Sequence, residues 1–311
     1  LYRLFIGTIV AFIMAGLQTY LKGSNMLKRI IFVAVLGAIL AVPSFASLLT
    51  AGGDNEIYFN NFELLFDADG NYKVPGTPIA VGDTLVGIIN VQNIDFNNTT
   101  TWYSGAQDQI TGVFAQRVDE IFFVDPYDLD QTSYPHINLG TPTLSQFTYD
   151  GVEFSIGLED GEMFAFYHQS GLGTTPFESN GSVTDDIAKA TDGELWFTLG
   201  LEDAGYFYSH TSLGATLVNF TGEAWGALYV MRNNSGFQFN LVDDANEFEF
   251  DVPGHVVLSS ELEGKTNLLS PWDFKSNDPA TVNPVPEPST MLLLGSGLLG
   301  AALIGRKRLK K

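Results

Sequence analysis

Apolar and polar residues alternate strictly along Phe237-Gln238-Phe239-Asn240-Leu241 and Phe248-Glu249-Phe250-Asp251-Val252. A period of two puts every second side chain on the same face of an extended chain, so such segments form strands with one buried and one solvated side. Ile57 to Phe66, Thr84 to Val91, Gly112 to Val118, Glu120 to Val124, Gly222 to Met231 and His255 to Ser259 read as further strands. Turn signals punctuate them at short intervals: Asp69-Gly70-Asn71, Asp160-Gly161, Asp192-Gly193 and Asn234-Ser235-Gly236. Many short strands with such turns predict an all-β fold, an antiparallel β-sandwich or jelly-roll-like domain. Only Thr184 to Ala190 reads as a short helix.

The two ends break this pattern. Met26-Leu27-Lys28-Arg29 is a basic n-region, Ile30 to Val42 an apolar core, and Pro43-Ser44-Phe45-Ala46 a small-residue cleavage site. Together they read as a secretory signal peptide over 26–46, cut after Ala46, with the Sec translocon and signal peptidase as partners. Residues 1–25 begin with leucine and carry their own apolar run, Leu4 to Leu17. They read as sequence upstream of the true start, the alternative being an extra membrane segment. The working domain is then expected over 47–276, followed by a polar linker over 277–284.

The tail, 285–311, has three parts in a fixed order. Val285-Pro286-Glu287-Pro288 comes first. With two prolines around one glutamate it is expected to stay extended and open to a partner that reads backbone. An uncharged apolar run follows, Met291 to Gly305, expected to form a single transmembrane helix. At 1.5 Å rise it reaches about 22 Å, short of a hydrocarbon core of about 30 Å. Gly297, Ala301 and Gly305 give it one small-residue face suited to close helix contact. Arg306-Lys307-Arg308 opens a basic cluster that stays cytoplasmic, placing the preceding domain across the membrane.

This order of parts resembles the PEP-CTERM sorting signal of Gram-negative bacteria. The resemblance is confined to Val285–Lys311, with Val285, Pro286, Glu287, Pro288, Arg306, Lys307 and Arg308 as its matching residues. It implies a membrane peptidase partner, exosortase, a transient anchor, and passage to the cell surface or extracellular matrix. For the family it also implies an association with exopolysaccharide and biofilm.

Charge narrows the partners. Between the two ends the chain carries six basic residues (Lys73, Arg117, Lys189, Arg232, Lys265 and Lys275) against 35 of its 36 acidic ones, a net of −29. Such a surface repels phosphate backbones, so no nucleic acid is expected. The absence of cysteine excludes thiol catalysis and Cys-ligated metal. A domain of this length buries enough core to fold without disulfides.

Candidate sites are few. Asp67, Asp69 and Asn71 offer side-chain oxygens at i, i+2, i+4, spacing able to wrap calcium, although Asp-Gly-Asn also makes a hairpin turn unaided. Asp125, Asp128 and Asp130 follow the apolar Ile121 to Val124 and offer a second oxygen cluster. Calcium is the only cofactor these residues suggest. Trp102-Tyr103, set in a polar stretch, is the candidate carbohydrate-stacking pair. No His-Glu-x-x-His spacing, nucleophile elbow or phosphate loop occurs, and no catalysis is expected. Phe154 to Asp160 is echoed by Phe197 to Asp203, which reads as two related hairpins with Glu-Asp at the turns. The expected role is an exported acidic surface or matrix protein, structural or adhesive. The alternatives are a non-catalytic carbohydrate-binding module and a secreted polysaccharide hydrolase.

Overall fold

The computed structural model describes residues 48–105, 108–123, 135–170, 177–179, 181–201, 206–211, 221–240, 256–264 and 271–286. In chain order its strands are β1 (Asn55–Phe66), β2 (Thr84–Phe96), β3 (Thr99–Tyr103), β4 (Asp108–Phe123), β5 (Pro135–Gly140), β6 (Phe147–Tyr149), β7 (Val152–Phe154) and β8 (Glu162–Ser170). Helix α1 (Val183–Ala190) comes next, then β9 (Glu194–Gly200), β10 (Tyr206–Thr211), β11 (Thr221–Asn233), β12 (Phe237–Asn240), β13 (Val256–Gly264) and β14 (Phe274–Pro286).

Eight strands form an antiparallel meander: β1, β2, β4, β8, β9, β11, β13 and β14 pair in that order, and β14 returns to β1. The sheet is therefore a closed barrel rather than the two facing sheets of a sandwich, while the all-β antiparallel expectation holds. The long strands explain the difference. β1, β2, β4, β11 and β14 run 12 to 16 residues. Register shifts at Tyr58/Phe59, Val118/Glu120 and Glu162/Phe164 bend them further. Coiled strands bent at bulges curl until their edges meet, which removes the unpaired edges an open sheet must protect. β5 and β10 pair with each other beside β4 and β11. Arg117 pairs with both Thr84 and Gly140, so β5 lies on the side of β4 away from β2. The β5–β10 pair thus continues the wall beyond the end of β8 and β9.

Alternation divides the apolar residues between two cores. Ile57 and Phe59 of β1, Ile89 and Val91 of β2, and Ile110 and Phe114 of β4 pack with Phe164, Phe166, Trp196, Leu228, Leu258 and Val282 inside the ring. The opposite parity of the same strands (Leu64, Phe66, Val86, Ile88, Val113, Ala115) faces outward. There it is covered by Val183 and Ile187 of α1, Phe147 of the β6–β7 hairpin and Trp272. An eight-stranded barrel is just wide enough for side chains to fill, and these residues fill it.

Helix α1 appears where the sequence places it. Ser182 caps it by accepting from the Asp185 amide, and acidic Asp185 and Asp186 sit in its first turn. The expected hairpin repeat is not a structural repeat. Phe154 ends β7 and packs outside the ring on Phe66 and Phe147. Phe197 lies in the barrel wall against Phe166 and Phe239. Similar strand chemistry serves two unrelated places.

The wall allows no side chain at Gly87. A Cβ there would lie 2.5 Å from the Phe114 ring and 2.7 Å from the Phe62 carbonyl oxygen. Gly87→Val should therefore cost about 1–3 kcal/mol or more through overpacking. Gly105→Ala, with open space around its added Cβ, should melt within a degree or two of the parent. Thermal unfolding of the two variants measures the contrast, and equal losses would contradict this packing.

Candidate functional site

The last strand carries the junction with the tail. β14 lies between β13 and β1 as far as Val282. Residues 277–282 of the expected linker 277–284 are thus part of the barrel wall. Beyond Val282 the strand continues against β12, with Asn283, Pro284, Val285 and Pro286 opposite Asn240, Phe239, Gln238 and Phe237. On the other flank the Gly52 amide donates to the Pro284 carbonyl at 3.1 Å, and Asn283 Nδ2 donates to Asp54 Oδ1 at 3.1 Å. The first half of Val285-Pro286-Glu287-Pro288 is therefore held in a ladder, not open as expected.

β12 is fixed from the core outward. Phe237 and Phe239 are buried, and the Phe239 ring lies 5.7 Å from Phe197. Gln238 and Asn240 face solvent. The tight turn before β12 is locked by side chains. Asn233 Oδ1 accepts from Ser235 Oγ at 2.6 Å, and Asn233 Nδ2 donates to the Phe237 carbonyl at 2.6 Å. Gly236 takes the positive φ of +80° that the turn demands.

Residues 284–308 match the family model of the PEP-CTERM protein-sorting motif. The match covers the tetrapeptide, the apolar run and the first basic residues, in agreement with the resemblance read from sequence. Such a motif implies an exported protein with a membrane-anchored sorting signal that is processed by exosortase, a membrane protein. The comparisons with curated proteins and with solved structures gave no match. Glu287, Pro288, Arg306, Lys307, Arg308 and the run 291–305 lie outside the described residues, as do the signal peptide and Ala46. Among the described residues no helix is long and apolar enough to cross a membrane.

The remaining sequence candidates fall in separate places. Asp67, Asp69 and Asn71 form the turn after β1. Asp67 Oδ1 accepts from the Asp69 and Asn71 amides at 3.0 and 2.8 Å. Its carboxylate is already engaged in holding the turn. Asp125, Asp128 and Asp130 lie outside the described residues, and so does the stretch 248–252. Among the described residues no three His, Asp or Glu side chains gather as a metal site. Trp102 and Tyr103 part company. Trp102 is buried in the barrel core and Tyr103 is 69% exposed. The polar stretch before Trp102 suggested exposure. Pairing with Ile94 instead turns the indole inward.

Two polar groupings had no signal in the sequence, because their members are far apart in the chain. Asp108 accepts from Trp102 Nε1 at 2.9 Å and lies 2.5 Å from His168 Nε2, tying β3, β4 and β8 together. At the opposite end of β8, Arg232 clasps Glu162 through Nε and Nη2 at 2.5 and 2.6 Å, and reaches Glu159 at 2.7 Å. Thr198 Oγ1 donates to the same Glu162 carboxylate. Burial would raise the Glu162 carboxyl, but the Arg232 and Thr198 hydrogen bonds outweigh it and hold the group below its usual range. Removing Arg232 leaves the buried Glu162 carboxylate without its countercharge. Arg232→Met should cost about 3 kcal/mol, and Glu162→Gln added to it should recover part of the loss. Denaturant melts of the two variants check this.

Asp273 behaves in the opposite way. Burial raises its carboxyl from 3.8 to about 6, against the opposing hydrogen bond from Tyr72 at 2.8 Å. A folded-state value raised above the unfolded one contributes stability at low pH that is lost as pH rises through about 6. Relative to Asp273→Asn, the parent protein should therefore lose stability between about pH 4 and pH 7. Thermal melts across that range test the sign, and a parent that gains on the variant as pH rises would reverse it.

Proposed function

We propose that this protein is an exported, acidic surface or extracellular-matrix component of a Gram-negative bacterium, sorted by an exosortase-type system, with a structural or adhesive role in exopolysaccharide and biofilm. The observation that carries this reading is the sorting-motif match over 284–308. The barrel's acidity supports it. A net charge of −29 keeps the domain soluble and dispersed during export, and carboxylates can bridge through divalent ions to an anionic polysaccharide. No catalytic role is proposed. The exposed Tyr103 at the end of β3 keeps non-catalytic sugar binding as the second reading.

Two measurements test the reading. In a host that carries the sorting system, the full chain should pass from the membrane fraction to a shorter released form. Glu287→Ala with Pro288→Ala should leave the full-length form in the membrane. That pair is chosen because both positions lie beyond β14, so the barrel is untouched. Normal release of the double variant would reduce the tail to a plain anchor. The released domain, incubated with insoluble extracellular polysaccharide, should sediment with it and liberate no reducing sugar. Sugar release would make it a hydrolase.

A further inference from the structure

We propose that β12 is a latch on the sorting signal: the pairing of β12 with Asn283–Pro286 withholds the Pro-Glu-Pro segment from its membrane peptidase, and processing waits for β12 to release it. The inference rests on the exosortase reading above and adds a regulatory step to it.

The geometry carries the argument. A peptidase that recognises an extended segment pairs with its backbone, adding a strand to a free edge. Between Asn283 and Pro286 one edge of β14 is taken by Phe237–Asn240. On the other, the Gly52 amide holds the Pro284 carbonyl, and the Asn283 side chain donates to the Asp54 carboxylate. Val285 and Pro286, half of the tetrapeptide, are inside this ladder. A peptidase that pairs along the β12-facing edge of Val285 and Pro286 reaches it only after β12 moves.

β12 is the part built to move. Its four described residues pair with β14 along this stretch, whereas β1 is bonded to β2 over its whole length and to β14 over most of it. Short terminal pairings open locally at far lower free energy than the barrel as a whole. The two phenylalanines oppose that opening, since releasing β12 draws Phe237 and Phe239 out of the core. The latch is therefore closed at rest, and it can open without unfolding the ring.

The chain contains no cysteine, so a disulfide can be placed at will. Asn240 and Asn283 are register partners; Asn240 faces solvent, Asn283 is half-buried and neither belongs to the tetrapeptide, so Asn240→Cys with Asn283→Cys can lock the latch with the core unchanged. Asn60→Cys with Asn90→Cys, partners on β1 and β2, provides a lock elsewhere in the same wall. Full-length chains are expressed in a host that carries the sorting system, and release is followed by pulse-chase with and without dithiothreitol. The latch lock should slow release by about tenfold or more in the oxidised form, with reductant restoring the parent rate. The control lock should be released like the parent. Unchanged release of the oxidised latch lock overturns the proposal, because the peptidase then needs only residues beyond Pro286. Equal slowing by both locks also overturns it, since general rigidity then suffices. A parent chain that is never processed overturns the exosortase reading itself, and the latch falls with it.

Discussion

Pairing of Asn55–Glu63 with Phe274–Val282 turns a meander into a ring, and every other feature of this barrel depends on it. Without that seam β1 and β14 would each present a long unpaired edge, and the core would be open beside Ala280 and Val282. The seam forms although its strand carries proline at 279, 284 and 286. A proline has no amide to give, so it belongs where one neighbour can do without. The ladder shows where that is. Pro279 keeps its partner Tyr58 on β1, while pairing with β13 stops at Leu258 and resumes only at Glu261. The gap opposite Pro279 leaves one flank of β14 locally unpaired and the closing flank whole.

A closed wall has two faces, and this one buries both along β1, β2 and β4. The inner face fills the ring. The outer face needs a cover, and α1 supplies it with help from the segment before β14. Trp272 Nε1 donates to Asp186 at 2.9 Å, and Ser179 Oγ donates to the same carboxylate at 2.6 Å. Thr111 Oγ1 on β4 donates to the Ala190 carbonyl at the helix end. Each bond satisfies a buried polar atom while fixing the helix to the wall, so orientation comes at little desolvation penalty. Inside the ring the same economy holds for Glu63, which accepts from Ser276 at 2.6 Å diagonally across the seam. Closure is thus specified by polar pairing as well as by apolar burial.

Much of this was legible because the period of two is a local property. β1, β2, β11 and α1 lie within a few residues of where the sequence pattern puts them. What alternation cannot give is the number of sheets. Sandwich and barrel use the same strands, and the choice is made by bulges such as Tyr58/Phe59 and by pairings between distant segments. β14 was unreadable for a different reason: three prolines and a run of polar residues signal a linker, and only the partners on either side make a strand of it. The candidate sites repeat the lesson. Asp67 to Asn71 was legible as a turn and as an oxygen cluster alike, and backbone amides take the carboxylate. Trp102 sits among threonines and still goes inside, since burial follows the register with Ile94 and not local polarity. Arg232 and Glu162 carry no spacing at all.

The seam also couples folding to sorting. Its two strands stand at opposite ends of the barrel sequence, so the ring depends on the most non-local strand pairing among the described residues. Loop-closure entropy makes such contacts the slow ones to form. A chain exported with its N-terminus first delivers β14 last, directly ahead of the apolar run. Until β14 docks between β13 and β1, Asn283–Pro286 has no β12 to pair with in place and the tetrapeptide is fully open. Once it docks, Phe237 and Phe239 hold β12 against it. The order of events then decides what a membrane peptidase meets. Fast processing meets an open segment on an unclosed barrel, and slow processing meets a closed ring whose tail must first be freed. Pro284, Val285 and Pro286 belong both to the closing strand and to the matched sorting motif, which is why the proposed latch ties the state of one to the other.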